Sequence, residues 1–463
     1  MPKTIRLLST YNGNRPNTIL SNVADNIADQ LLLGGVNATL DLTGGVPYVA
    51  PQTPNNQYPT LAETDAAGNV LGLTIPAINR TVQTPGTVPL PTWRAAVGRL
   101  RNNVLLPNGA GNPKVCFVGS SSYLGYGAAS SVYNTNTSLA AGGREKNIVA
   151  KLAAMLNTYF APAQAHNFFG AGGEFTGNRA AFLAFDPRIS MDGTGWGMDD
   201  PGRTANPQTH SFPAGGTFFL NSGTTDQFRF TPNGAVDSFE VFRHQTTGSG
   251  TLAPLIDAEV QTNIGPQTGG AEPAMRSYTF TTATPGTHTL RLTPTGAGQV
   301  NSIHAVRAWN STKAEIELWQ MGSPGSVAND WIRTTDYRSA GNTLGTIYKA
   351  DLWIIDLARN SWGSSENIND FKTRTQQLIT NCKRSGDVIL VSGAPTNAAL
   401  ELQQPYVDAY AELARDNKLI FIDMWRRIGS FSSTNNLYSD SVHLGGNGYG
   451  LYAQALFNVL TQV

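Results

Sequence analysis

Near its C-terminus the chain reads YSDSVHLGGNGYG, residues 438 to 450, and sets one of its six histidines, His443, three residues after Asp440 in a glycine-rich turn. A carboxylate at that spacing can hold an imidazole in one tautomer while the other ring nitrogen faces a serine, which is half of a proton relay. By itself the pair describes a solvated loop equally well. A hydroxyl to match it occurs in VCFVGSSSYLGYG, where a turn of small residues can expose a serine at a helix start, beside outward-pointing backbone N–H groups. Two further turns carry groups of interest. Gly322 in WQMGSPGS allows a close backbone approach, and Asn360 in WIIDLARNSW presents two amide donors. Each of these, taken alone, is also an ordinary turn.

The elements that must position these turns are strands. KVCFVG, AEIELWQMG, ADLWIIDLA, DVILVSGAP and KLIFIDM are near-continuous apolar runs. They alternate with helical patterns in REKNIVAKLAAMLNTYF, where Ile148, Leu152 and Leu156 share a stripe, from Ile368 to Cys382, from Tyr406 to Arg415, and from Gly448 onward. That rhythm predicts an α/β domain with a parallel sheet covered on both faces, and in such sheets sites form beyond the carboxyl ends of the strands. The rhythm is interrupted. Residues 161–311 carry short alternating runs (Phe228 and Phe230, Phe239 and Val241, Leu290 and Leu292) between turns, which predicts an inserted antiparallel β-sandwich. The hydrolase-type pieces are then 112–160 and 312–463, after a Pro/Thr-rich linker at 86–111 with an amphipathic segment around Trp93 to Leu105. Residues 1–85 read as a small N-terminal α+β, β-rich module, with a strand in TIRLLSTY and a helix bearing Val23, Ile27 and Leu31, closed by Gly34 and Gly35.

The four motifs, in this order, resemble those of the SGNH (GDSL-type) hydrolase family, over roughly 200 residues. GSSSYLGYG is similar to the family's first block, a serine followed by a glycine four residues later, and implies Ser121 as nucleophile with Gly125 at that interval; Ser120 and Ser122 are the weaker alternatives. MGSPGS resembles the second block and implies the N–H of Gly322, together with that of Ser121, in an oxyanion hole, for which Gly170 in HNFFGAGG is an alternative. LARN resembles the third block and implies Asn360 as the side-chain donor; DSVHLGGNGYG resembles the fifth and implies Asp440 and His443 as the rest of a catalytic triad. The chain departs from the family in two places. Ser120 stands where an acidic residue precedes the nucleophile, and the third block opens with Ala358 and Arg359 and continues with Ser361.

Composition narrows the partners. Lys+Arg and Asp+Glu are both 32, so no basic field exists to attract nucleic acid. No run of eighteen apolar residues occurs and the N-terminus lacks a secretory h-region, so neither membrane insertion nor a cleaved leader is expected. Cys116 and Cys382 sit in apolar runs and read as buried thiols. His166, His210, His244, His288 and His304 show no metal-ligand spacing, so no metal and no cofactor is expected. Trp196, in a Gly/Asp-rich loop, could stack on a sugar or pack in a core. Family members with β-sandwich insertions often act on acetylated glycans, and residues 1–85 resemble the short N-terminal module of tailed-bacteriophage virion proteins. Together these likenesses imply an O-acetylesterase of bacterial surface polysaccharide carried on a virion among other virion proteins, with a homotrimer expected only by analogy. The competing expectations are an inactive glycan-binding scaffold and a structural decoration or fibre protein. A lipase is disfavoured because no amphipathic lid flanks the motifs.

Overall fold

Strands apolar at every position must be buried on both faces, which requires helices on each side of their sheet. The computed structural model builds that arrangement. It describes residues 90–462 apart from 106–108, 110, 130–142, 171–178, 194–195, 198–217, 222–225, 246–248, 267–273, 296–299 and 333–343, and before residue 90 five short strands.

Six strands form one sheet: β1 (Lys114–Gly119), β2 (Ala163–Gln164), β3 (Ile316–Gly322), β4 (Leu352–Asp356), β5 (Asp387–Val391) and β6 (Ile420–Ile422), in the order β6-β5-β4-β1-β3-β2. Every pairing is parallel, and Gly119 at the end of β1 lies opposite both Gly322 of β3 and Asp356 of β4. From β1 the chain builds toward β3 on one side and then crosses to β4 on the other. The switch point that makes a crevice is therefore at the end of β1.

The helices that cover the sheet or carry the motif turns include α1 (Pro91–Arg101), α2 (Ser121–Leu124), α3 (Ile148–Tyr159), α4 (Ala358–Gly363), α5 (Ile368–Cys382), α6 (Leu400–Asn417) and α7 (Gly446–Leu460). Because successive strand side chains point to opposite faces, Val115 and Phe117 of β1 enter a core with Trp93 of α1, Leu152 of α3 and Leu456 of α7. Their neighbours Cys116 and Val118 enter a second core with Leu378 of α5 and Tyr410 of α6. Full burial of side chains of this size contributes roughly 1.5–3 kcal/mol each. Cys116 and Cys382 are buried free thiols.

Residues 86–111, expected as a linker, hold α1, and α1 is part of the first core. The Trp93 indole N–H donates to the Leu460 carbonyl at 3.1 Å, and its backbone N–H donates to Asp387 Oδ2 at 2.8 Å. Burying an aromatic and pairing its N–H offsets the cost of ordering the segment.

Between β2 and β3 the chain forms separate antiparallel sheets. One has the strand order 259–260, 252–256, 290–294, 228–230, 189–191; another runs 274–286, 236–245, 305–309, 168–169; a third joins 196–197, 218–221 and 300–303. Phe228, Phe230, Phe239, Val241, Leu290 and Leu292 share one apolar cluster, as their alternation predicts. Phe242, one position after Val241, instead enters the second core of the parallel-sheet unit beside Trp319. Residues 239–242 of the strand Val236–Gln245 are thus covered on both faces. A bidentate ion pair adds to this seam: Arg307 Nε and Nη2 donate to the two Glu317 oxygens of β3 at 2.7 Å each, and Asn112 and Trp319 donate to the same carboxylate. Burial would raise the Glu317 pKa, but the Arg307 charge holds it below its ordinary value.

The chain divides into two compact units, Met1–Pro76 and Ala77–Val463. In the first, Lys3–Leu7 pairs antiparallel with Ile19–Val23 and Ala38–Leu40, and Ala62–Thr64 pairs with Val70–Leu73. Val23, expected to begin a helical stripe, ends a strand; Ile27, Leu31, Gly34 and Gly35 lie outside the described residues. Among the described residues no helix is long and apolar enough to cross a membrane.

Candidate active site

The end of β1 turns directly into a single helical turn. Ser120 is extended (φ −102°, ψ −150°), Ser121 opens α2, and Gly125 closes it with φ +107° while its N–H donates to the Ser121 carbonyl at 3.0 Å. A side chain at Gly125 would be strained at that φ, and its Cβ would lie 2.9 Å from Asn147 Cβ. The glycine four residues after the serine is thus needed to end the turn. Ser121 is 6% exposed.

The second half of the site is the loop before α7. Asp440 Oδ1 accepts the backbone N–H groups of Val442 at 2.7 Å and His443 at 2.6 Å, so the three-residue spacing closes on itself. Asp440 Oδ2 faces His443 Nδ1 at 2.9 Å, and His443 Nε2 lies 2.8 Å from Ser121 Oγ. Residues 322 positions apart therefore form one unbroken chain of hydrogen bonds from carboxylate to imidazole to hydroxyl. Tyr126 stacks on the imidazole, centroids 4.6 Å apart at 25°.

The electrostatics match this order. Burial opposes ionisation of Asp440, but the hydrogen bond and charge of His443 and the two backbone N–H groups outweigh it and hold the carboxyl down to about 2. Burial pushes the His443 imidazole below its ordinary pKa; Asp440 opposes that shift and the Arg359 guanidinium adds to it. A neutral imidazole with Asp440 on Nδ1 presents Nε2 as the proton acceptor.

Gly322 presses against the turn that carries Ser121: a Cβ there would lie 2.5 Å from the Leu124 nitrogen and 2.9 Å from the Ser120 carbonyl oxygen. Only a residue without a side chain lets β3 approach so closely. Gln320, two positions earlier, donates to the Tyr123 and Leu124 carbonyls at 2.7 Å each and so braces α2. Asn360 in α4 donates one amide hydrogen to the Ser326 carbonyl at 2.9 Å, which fixes the amide plane and keeps its second hydrogen to offer. Gly170 follows the strand Phe168–Phe169, which pairs with Ala305–Trp309 of an antiparallel sheet, and not a strand of the parallel sheet.

Trp196 requires a correction. It is 1% exposed within the apolar cluster of the antiparallel sheets, and its indole N–H donates to the Asp226 carbonyl at 3.1 Å. Its ring has no free face for a sugar, because filling that core and pairing the N–H takes the whole side chain. Two residues beside the relay were not assigned from sequence. Tyr126 lies within the first motif, where only glycine and serine were read. Arg359 was visible only as a departure from the third motif. Among the described residues no group of three or more His, Cys, Asp or Glu could hold a metal ion.

No protein-family model matches the chain, and no curated protein matches it. Solved structures do. A peptidoglycan O-acetylesterase matches with a TM-score of 0.54 at 16% identity, over 80% of this chain and 95% of that one. A Bacillus subtilis protein matches over 59% and 88% at 15% identity (TM-score 0.29), and a family two carbohydrate esterase from Cellvibrio japonicus over 60% and 95% at 14% (TM-score 0.24). The first likeness shows a shared fold, and at 80% of the chain it extends past the parallel-sheet segments into the antiparallel ones.

Proposed function

We propose that the chain is a serine esterase that removes acetyl groups from bacterial surface polysaccharide. The observation that carries this reading is the unbroken relay Ser121–His443–Asp440 at the carboxyl end of a parallel sheet. Ser121 Oγ attacks the ester carbonyl while His443 Nε2 takes its proton; Asp440 stabilises the imidazolium that results. The C–O bond to the sugar then breaks, and the leaving hydroxyl takes the proton from Nε2. Water, deprotonated by the same nitrogen, attacks the acyl-serine and releases acetate. The oxygen that becomes anionic is held by the N–H groups of Ser121 and Gly322 and by the free amide hydrogen of Asn360. The scheme uses no cofactor and no metal. Support for an acetylated glycan comes from the peptidoglycan O-acetylesterase of shared fold.

The likeness of residues 1–85 to virion modules supports the further reading that the enzyme is carried on a bacteriophage particle, with polysaccharide as substrate and other virion proteins as neighbours. A second reading, an inactive glycan-binding or structural virion protein on the same fold, draws on Ser120, which replaces the acid that precedes the nucleophile in the family. Acetate release from a panel of acetylated bacterial polysaccharides, with hydrolysis of p-nitrophenyl acetate beside it, separates the two. Turnover that disappears in Ser121→Ala supports the esterase. Equal rates for the two proteins leave only the binding role.

A further inference from the structure

We propose that Arg359 is a positioning residue of the relay: its guanidinium ties the turn that presents Ser121 to the loop that presents His443, and sets a fixed positive charge beside the imidazole. The inference rests on the esterase reading of that site. It starts from a residue the family likeness leaves unexplained, an arginine between Ala358 and Asn360.

Arg359 is 3% exposed, a costly place for an arginine unless its donors are used. Nη1 donates to Ser122 Oγ at 2.5 Å and to the Val442 carbonyl at 3.3 Å. Ser122 adjoins Ser121 and Val442 adjoins His443, so one nitrogen bridges the chain neighbours of both reacting groups. Nε and Nη2 are buried without a hydrogen-bond partner among the described residues. Asp356 lies close by, since a Cβ on Gly393 would sit 2.9 Å from Asp356 Oδ1 and 3.5 Å from Arg359 Nη2. Burial raises the Asp356 pKa, against the pull of Arg359 and Tyr452, which weakens it as a counter-charge. An arginine so placed contributes little to stability that an apolar side chain of similar volume would not. What an apolar residue could not supply is the bridge and the charge.

The groups around His443 make the sign of the charge effect definite. Asp440 on its own loop favours the imidazolium, and Arg359 from α4 disfavours it. Ser121 and Tyr126 from the α2 turn are neutral, as is Tyr449 of α7, whose hydroxyl donates to the Tyr126 carbonyl at 2.6 Å. Removing the guanidinium therefore lets His443 hold its proton to higher pH, and the acid limb of the rate profile moves up with it.

The test uses the full chain with Arg359→Met, Arg359→Lys and Ser122→Ala. The readouts are NMR titration of 13C-labelled histidine, with the His443 signal assigned from its loss in His443→Gln, and the pH profile of p-nitrophenyl acetate hydrolysis. In Arg359→Met, His443 titrates at higher pH than in the wild type, the acid limb shifts the same way, and kcat falls roughly 10- to 100-fold with little change in KM. Arg359→Lys keeps the wild-type titration and recovers part of kcat. Ser122→Ala, which keeps the charge and cuts one tie, lowers kcat without moving the titration. Where Arg359→Met does not fold, Arg359→Gln, neutral but still a donor, takes its place. An unmoved His443 titration in the neutral variant, or an Arg359→Lys protein that titrates like it, overturns the proposal. A wild type that hydrolyses no ester refutes the esterase reading instead, and the NMR titration still decides the part played by Arg359.

Discussion

Asp440→Asn is the substitution for which the structure makes the sharpest demand. The carboxylate accepts two backbone N–H groups on Oδ1 and the imidazole Nδ1–H on Oδ2. Asparagine has one oxygen for three donors. Keeping that oxygen on the two backbone N–H groups turns its NH2 toward Nδ1, which then must be the unprotonated nitrogen of the ring. The proton moves to Nε2, and Nε2 can no longer take the proton of Ser121. Holding a carboxyl at about 2 instead of the ordinary 3.8 corresponds to about 2.5 kcal/mol of preference for the anion, and the part of it that comes from His443 is lost to the imidazolium as well. Wrong tautomer and lost charge together predict a kcat reduced roughly 10³- to 10⁴-fold with KM nearly unchanged, measured on p-nitrophenyl acetate at saturating concentration. The same group has a stability signature. Its folded pKa is depressed, so its contribution is present above the unfolded value of 3.8 and is lost as pH falls through about 2. Urea unfolding should therefore show the variant less stable by up to about 2.5 kcal/mol at pH 5 to 7, with the gap closing toward pH 2. A variant within tenfold of wild-type kcat would falsify the relay as the source of the base.

Three further outcomes follow from the geometry. In the wild type, kcat/KM should rise through a midpoint below the ordinary histidine value of 6.5, because burial and Arg359 push His443 down; a midpoint above 6.5 in a pH-rate profile contradicts that environment. On the proposed mechanism, Asn360→Ala removes one oxyanion donor and should cost about 3 kcal/mol of transition-state stabilisation, read as a 10²- to 10³-fold loss in kcat, while losses under fivefold would remove Asn360 from the site. Glu317→Gln removes the bidentate carboxylate and leaves Glu240, at 3.4 Å, as the acid facing the buried Arg307 guanidinium, and should lower unfolding free energy by about 1.5–3 kcal/mol in urea melts; a change below 1 kcal/mol would show that the pair is dispensable.

Five of the six strands of the parallel sheet were readable because they are near-continuous apolar runs, whereas the two-residue edge strand Ala163–Gln164 lies inside 161–311, the segment expected as the insertion, and is too short to carry a pattern; the helix from Ile368 to Cys382 falls on the residues expected for it. The motif turns were readable for a related reason: the serine and the asparagine closely follow such strands, and the Asp-x-x-His pair, in the loop before α7, has a spacing that chemistry restricts. What escaped depends on contacts far apart in the chain. Trp93 looked like part of a linker because its partners, Asp387 and Leu460, are 294 and 367 positions away. Trp196 was open between sugar stacking and core packing because glycines and aspartates surround it in sequence, whereas in space it meets Phe228. Arg359 could be seen as unusual but not interpreted, since both atoms that receive its Nη1 come from other motifs.

The strand Val236–Gln245 has a consequence for how such a protein can change over time. With Val241 facing one interior and Phe242 the other, the inserted sheets form a wall of the parallel-sheet unit rather than an appendage hung on it. Excising them would open Trp319 to water and strand Glu317 without Arg307. On the proposed reading, a change of glycan preference would therefore come from remodelling loops on the wall already present, because replacing the sheets wholesale would dismantle the parallel-sheet core that holds Ser121 and His443 as well.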